Sequence, residues 1–194
     1  MNLPNSITLA RLGLTIVYVA AASVAGTLAA WIALLSFCVA AATDWLDGYL
    51  ARKMNLVTAL GKLLDPLVDK ILICAAFVHM SMVHQCPMWV TCVIIGREFL
   101  VTGLRQIAVE KGVVMAADRW GKLKTIIQIV FIIAGLVWLL LADQPSAPHV
   151  LGLLRWLADP THYFTAIMMW LSLFLTVLSG ANYLRGALPL FREK

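Results

Sequence analysis

Long apolar runs interrupted by short polar clusters dominate this chain. Each run continues for about 20 residues or more, the length needed to cross a bilayer as a helix. The pattern predicts helices over residues 5–25, 27–53, 60–84, 87–111, 119–142 and 161–185. Between the last two, Pro145, Pro148 and Pro160 punctuate a connection whose middle, 149–159, carries Val150, Leu151, Leu153, Leu154, Trp156 and Leu157. A short helix lying in the membrane interface fits that stretch better than a partial re-entrant segment. No repeat and no linker long enough to separate two units is evident. The expected architecture is one all-α integral membrane domain, residues 1–194, with six transmembrane helices.

Composition makes the membrane class nearly obligatory. The chain is 62% hydrophobic and 13% charged over 194 residues, more apolar surface than a soluble domain of this size hides. Fourteen of its fifteen Lys and Arg residues fall in alternate connections or on adjoining halves of the helices, leaving Arg155 on the other side. The positive-inside rule then predicts a multi-pass protein of a bacterial-type cytoplasmic membrane, with both termini cytoplasmic. Trp31, Trp89, Trp138 and Trp156 are expected near the outer interface and Trp120 near the inner one. The net charge of +5 suits an anionic lipid surface, and no soluble basic face remains for nucleic acid. No basic residue precedes Arg11, so the first helix is expected to stay rather than be cleaved as a signal peptide. Cys38, Cys74, Cys86 and Cys92 lack paired spacing and read as buried thiols. His79, His84, His149 and His162 fall toward the outer side and read as surface or interfacial.

Against this background, four carboxylates stand out in the pattern D-x2-D-G-x2-A-R-x8-G-x3-D-x3-D, running from Asp44 to Asp69. A carboxylate at bilayer depth costs about 2.5–3.5 kcal/mol even on the most lenient scale. Two such charges ~4 Å apart repel by about 4 kcal/mol at an effective dielectric of ~20. Neutralisation by cations or protons is therefore required. An all-oxygen set without Cys or His favours a hard divalent ion, Mg²⁺ or Mn²⁺. Asp44, Asp47, Gly48 and Ala51 fall on one stripe of a helix, and Gly61, Asp65 and Asp69 on another. Facing stripes would gather all four acids. Gly48, Ala51 and Gly61 clear space beside them, although small residues also serve close helix packing. Arg52 borders the first stripe and suits a phosphate. Asp65 before Pro66 has a rival reading as a helix N-cap, which leaves the other three acids unexplained.

The same string resembles the signature of the CDP-alcohol phosphatidyltransferases at every fixed position. That resemblance implies a six-helix membrane enzyme, homodimeric, with its active site on the cytoplasmic side. It further implies that Asp44 and Asp65 bridge two metal ions, Asp47 completes one site, and Asp69 completes the other and acts as base. Asn5, Thr8, Gly48, Ala51, Arg52, Thr58 and Gly61 are then the expected contacts of CDP-diacylglycerol. The strings NLPNSITLAR at 2–11, GKLLDPLVDK at 61–70, GREFLVTGLR at 96–105 and GKLKT at 121–125 are similar to the phosphatidylglycerophosphate synthases of bacteria. This implies glycerol 3-phosphate as acceptor and phosphatidylglycerophosphate and CMP as products. Val68 stands where that branch tends to have Ala.

Cations in the second half of the chain fit an anionic acceptor. Arg97, Val101 and Arg105 share a helical stripe, and Lys122 and Lys124 open the following helix. Topology alone explains Lys111 and Arg119, but not Arg97 about ten residues inside a span. Arg97, Arg105, Lys122 and Lys124 are therefore the expected glycerol 3-phosphate ligands. Three rivals stand at this level, one of them a structural membrane subunit, for which four such acids are an unexplained cost. A sister transferase would use another acceptor, as in cardiolipin, phosphatidylserine or phosphatidylinositol-phosphate synthesis. An ion-coupled transporter would use the carboxylates as a relay, but does not call for the Gly-Ala-Arg elements among them.

Overall fold

Six long helices and one short one account for the described residues, with no strand among them. In the computed structural model the backbone is described for residues 3–54, 59–113, 119–142 and 149–191, and side chains for 8–43, 68, 70–113, 119–141 and 152–189. The helices are α1 (Leu3–Ala22), α2 (Thr27–Met54), α3 (Ala59–Met82), α4 (Met88–Glu110), α5 (Arg119–Ala142), α6 (His149–Ala158) and α7 (Tyr163–Phe191). The ten-residue α6 falls where an interfacial helix is expected, with Arg155 over the Trp138 ring at 5.8 Å and Trp156 against His162 at 4.8 Å.

Local chemistry explains the helix ends that sequence pattern misplaced. The first helix stops at Ala22, where the Ser23 hydroxyl and amide both turn back to the Val19 carbonyl. The third stops at Met82 because His84 takes a left-handed φ of 59°, while the Gln85 amide reaches the Met80 carbonyl and the His84 amide the Ser81 carbonyl. Such paired bonds close a Schellman turn, usually with glycine at the left-handed position. Gly112, at φ 72°, closes α4 in the same way, its own amide on Val109 and that of Val113 on Ala108. The last helix continues to Phe191 instead of ending at 185; Pro189 sits near its end, where the missing N–H removes only one helical bond. The third helix begins at Ala59, so Asp65 lies inside it and the N-cap reading fails.

Packing is built on α1 against α2, α5 against α7 and α4 against α7, with α1 also touching α3 and α2 touching α5. Tyr18, Phe37, Phe77, Met80, Phe131 and Leu136 form the centre of the core, with Phe77 and Phe131 stacked at 5.8 Å. Two expectations need correction here. His79 is not a surface group: it is half-buried and its Nδ1 lies 3.0 Å from the Tyr18 hydroxyl. Cys92 is exposed, whereas Cys86 is buried and Cys38 and Cys74 are half-buried; all four are free thiols.

Large apolar side chains also cover the outside, among them Ile16, Leu28, Trp89, Trp170, Phe174 and Leu188. Water would penalise that surface, and hydrocarbon would not. Arg119–Leu141 and Tyr163–Pro189 are apolar over a full membrane-crossing length. Shorter apolar stretches occupy Thr8–Ala22, Thr27–Thr43 and Lys70–Met82. Several hydroxyls within these stretches are satisfied locally: those of Thr15, Ser36, Thr43 and Thr176 each donate to the carbonyl four residues back in their own helix.

Cavities reveal how the helices alternate. Ala21 and Ala22 at the end of α1, Ala30 near the start of α2, His79 near the end of α3 and Leu139 near the end of α5 share one cavity of about 380 Å³. Lys70 of α3, the second half of α4, the first turns of α5 and Tyr183 of α7 share another at the opposite end. The short connections 23–26 and 83–87 thus lie at one end, and the cationic segments at the other.

Candidate functional site

The cationic cavity has a volume of about 730 Å³, within the range of about 300–1,000 Å³ usual for ligand sites. Five cations, Lys70, Arg97, Arg105, Lys122 and Lys124, line it with two carboxylates, Glu98 and Glu110. The formal excess is therefore three positive charges. Four residues expected from sequence to bind an anionic acceptor, Arg97, Arg105, Lys122 and Lys124, are gathered there from two helices. The Arg97, Val101, Arg105 stripe works as helical spacing requires: all three face the cavity.

The four cations differ in their surroundings. Lys124 is 3% exposed, and its Nζ donates to Glu98 Oε1; Glu98 is itself only 8% exposed. Arg97 Nη1 lies 3.5 Å from the same oxygen, so one carboxylate serves two cations. On its other side, Arg97 Nη2 donates to Ser179 Oγ at 2.8 Å. Arg105 Nη2 donates to the Tyr183 hydroxyl at 2.6 Å. Tyr183 lies against both guanidinium groups, its ring centroid 5.7 Å from the Arg97 Cζ and 5.0 Å from that of Arg105. Lys122 is exposed at the cavity wall.

α7 makes this arrangement possible by what it omits. A Cβ on Gly180 would meet Arg97 Cγ at 3.0 Å, so the stem of Arg97 occupies the space that glycine leaves. Below it, Ser172, Thr176 and Ser179 form a buried hydroxyl stripe. Ser179 donates to the Thr176 carbonyl, and Thr176 receives a 3.3 Å bond from Gln128 of α5. Polar contacts thereby continue from the cavity into the helix interface.

A second cavity of about 210 Å³ lies deeper, lined by Arg11, Ala41, Lys70, Glu98, Lys124 and Gln128 among others. Lys70, Glu98, Lys124 and Thr125 line both spaces. The Glu98–Lys124 pair consequently stands in the wall between them. Ala41 is three residues before Asp44, which brings the inner cavity to the approach of the acidic stripe on α2.

The side chains of Asp44, Asp47, Asp65 and Asp69 lie outside the described residues, as do those of Asn5, Gly48, Ala51, Arg52 and Gly61; Thr58 lies outside them altogether. Backbone positions put Asp44 and Asp47 on α2, and Asp65 and Asp69 on α3. Thr8 is described and buried. Among the described residues no group of three His, Cys, Asp or Glu side chains converges.

Sequence reasoning missed Glu98, Tyr183 and the Ser179–Gly180 pair. Glu98 had a signal, an acid beside Arg97 inside an apolar run. Ser172, Thr176, Ser179 and Tyr183 also had one, falling on a single helical face of an otherwise apolar segment.

The family model for CDP-alcohol phosphatidyltransferase matches residues 1–178. A Bacillus subtilis protein named CDP-diacylglycerol--glycerol-3-phosphate 3-phosphatidyltransferase is 38% identical over 201 aligned positions, covering 94% of this chain and 93% of its own. A Rickettsia felis protein of the same name is 33% identical, with 98% and 97% covered. A Mycobacterium tuberculosis protein named as a probable phosphatidylglycerophosphate synthase is 36% identical, with 96% and 82% covered.

Proposed function

Since the chain belongs to the CDP-alcohol phosphatidyltransferase family, we propose that it transfers the phosphatidyl group of CDP-diacylglycerol to glycerol 3-phosphate, forming phosphatidylglycerophosphate and CMP. The observation that carries the choice of acceptor is the cationic cavity: Arg97 and Arg105 on one stripe, joined by Lys122, give a phosphomonoester several charged donors at once. A neutral alcohol would leave those charges uncompensated. The named relatives support the same acceptor.

In this reading Arg97, Arg105 and Lys122 bind the acceptor phosphate, and Lys124, held by Glu98, adds positive potential from the wall. Arg52, Asn5, Thr8, Gly48, Ala51, Thr58 and Gly61 serve the CDP-diacylglycerol side. Asp44, Asp47, Asp65 and Asp69 fit two divalent ions, Mg²⁺ or Mn²⁺, because four hard oxygen donors on adjacent helices suit such cations and nothing softer. When bound, the ions supply charge neutralisation for the diphosphate and the departing CMP. Asp69 takes the proton of the acceptor hydroxyl, whose oxygen forms the new bond to the phosphorus carrying diacylglycerol as the bond to CMP breaks.

The cation-rich end, against the lone Arg155 near the opposite end, supports a multi-pass protein of a bacterial-type cytoplasmic membrane with six crossings and the active site and termini cytoplasmic. Homodimerisation is proposed on the family's pattern.

Purified protein in lipid–detergent micelles tests the reaction through CMP release from CDP-diacylglycerol. Release should require both a divalent ion and glycerol 3-phosphate. Release supported instead by glycerol, serine, phosphatidylglycerol or inositol phosphate would overturn the acceptor assignment, and no release with any acceptor would overturn the transferase reading.

A further inference from the structure

We infer that Tyr183 of α7 is a positioning residue that sets the two guanidinium groups of the cavity for a phosphorylated acceptor, an inference resting on the functional reading above. Arg97 and Arg105 are two turns apart on α4, and each ends a long side chain with many rotamers. Tyr183 is 6% exposed and stiff by comparison, with two side-chain torsions. It touches both arginines, by its ring with each and by its hydroxyl with Arg105. Ser179 and Gly180, a turn earlier on α7, fix Arg97 by a hydrogen bond and by shape. The helix itself is tied to α5 through Thr176 and Gln128.

A purely structural role would ask only that an apolar side chain fill this wall. The 2.6 Å bond from Arg105 and the paired ring contacts go beyond filling. They hold two cationic planes at a set separation before any ligand arrives. A phosphomonoester dianion can bridge both at once, whereas a hydroxyl compound without phosphate gains nothing from that spacing. Tyr183 thereby contributes to acceptor choice without itself carrying charge.

The test uses the full-length protein and two substitutions, Tyr183→Phe and Tyr183→Leu. CMP release is followed while glycerol 3-phosphate is titrated at saturating CDP-diacylglycerol, and then the reverse. Losing both the charged hydrogen bond and the ring contacts should raise the KM for glycerol 3-phosphate about ten- to a hundredfold in Tyr183→Leu. Tyr183→Phe, which keeps the ring, should raise it about three- to tenfold. In both, kcat and the KM for the donor should stay within about twofold, which is the separation a packing defect does not produce. An unchanged acceptor KM in Tyr183→Leu, or a parallel loss of kcat and both KM values, would overturn the inference. If Tyr183→Leu does not fold, Tyr183→Phe decides by the same criteria. Wild-type protein that releases no CMP with glycerol 3-phosphate would instead overturn the functional reading, and with it the role assigned here.

Discussion

Replacing Glu98 by Gln removes one negative charge between two cations and leaves the shape nearly unchanged. Its carboxylate accepts from Lys124, which is 3% exposed, and lies 3.5 Å from Arg97. Breaking a buried ion pair from one side destabilises by about 3–5 kcal/mol, because the remaining charge keeps its desolvation penalty. The Gln carbonyl can still accept one bond from Lys124, so the lower end, about 3 kcal/mol, is expected. At about 2–4 °C per kcal/mol for a chain of this size, the melting temperature should fall by about 6–12 °C. Tryptophan fluorescence during heating in micelles measures it. Glu98→Gln combined with Lys124→Met removes both charges and should recover most of the loss, because a buried pair replaced by neutral groups is often close to neutral in stability. Unchanged melting of the single variant, or simple addition of the two single losses in the double one, would refute the orphaned-charge reasoning.

Further expectations follow from the remaining groups. Asp44→Asn or Asp65→Asn should abolish metal-dependent turnover while the protein still folds, as checked by CMP release and size-exclusion chromatography. Arg105→Ala should lose about 1.5–3 kcal/mol of acceptor interaction, roughly 10- to 150-fold in glycerol 3-phosphate use, with donor binding little changed; Arg52→Ala should show the reverse in paired substrate titrations. Gly180→Ala puts a methyl 3.0 Å from Arg97 Cγ and should weaken the acceptor KM by displacing that side chain; an unaltered KM would show that Arg97 can yield.

Much of the fold was legible because hydropathy alone dictates where a membrane helix runs. α5 begins and ends where the pattern put it, and α2 ends one residue beyond. Ends governed by hydrogen bonds rather than hydropathy were less visible: nothing in the pattern marks His84 as left-handed. The arginine stripe of α4 was legible from helical spacing. Its partners on α7 were not, since pairing α4 with α7 is a tertiary fact that periodicity does not carry. Glu98 carried a signal as an acid inside an apolar run, but its partner Lys124, 26 residues away, is set by helix packing and not by periodicity.

The hydroxyls that bond back to their own helices bear on how this protein enters a membrane. Thr15, Ser36, Thr43 and Thr176 bring little unsatisfied polarity with them, because each hydroxyl hydrogen is already engaged by its own helix's backbone. Those hydroxyls alone give their helices no polar reason to wait for a partner. α4 and α5 differ: Arg97 and Glu98 are on one, Lys124 on the other, and the Lys124–Glu98 bond exists only once both are present. Stranding Arg97 and Glu98 of α4 in hydrocarbon costs up to about 2.5–3.5 kcal/mol per charge. In the multi-pass arrangement proposed above, the two should therefore leave the translocation machinery together, as a hairpin, with α7 closing over the arginines last.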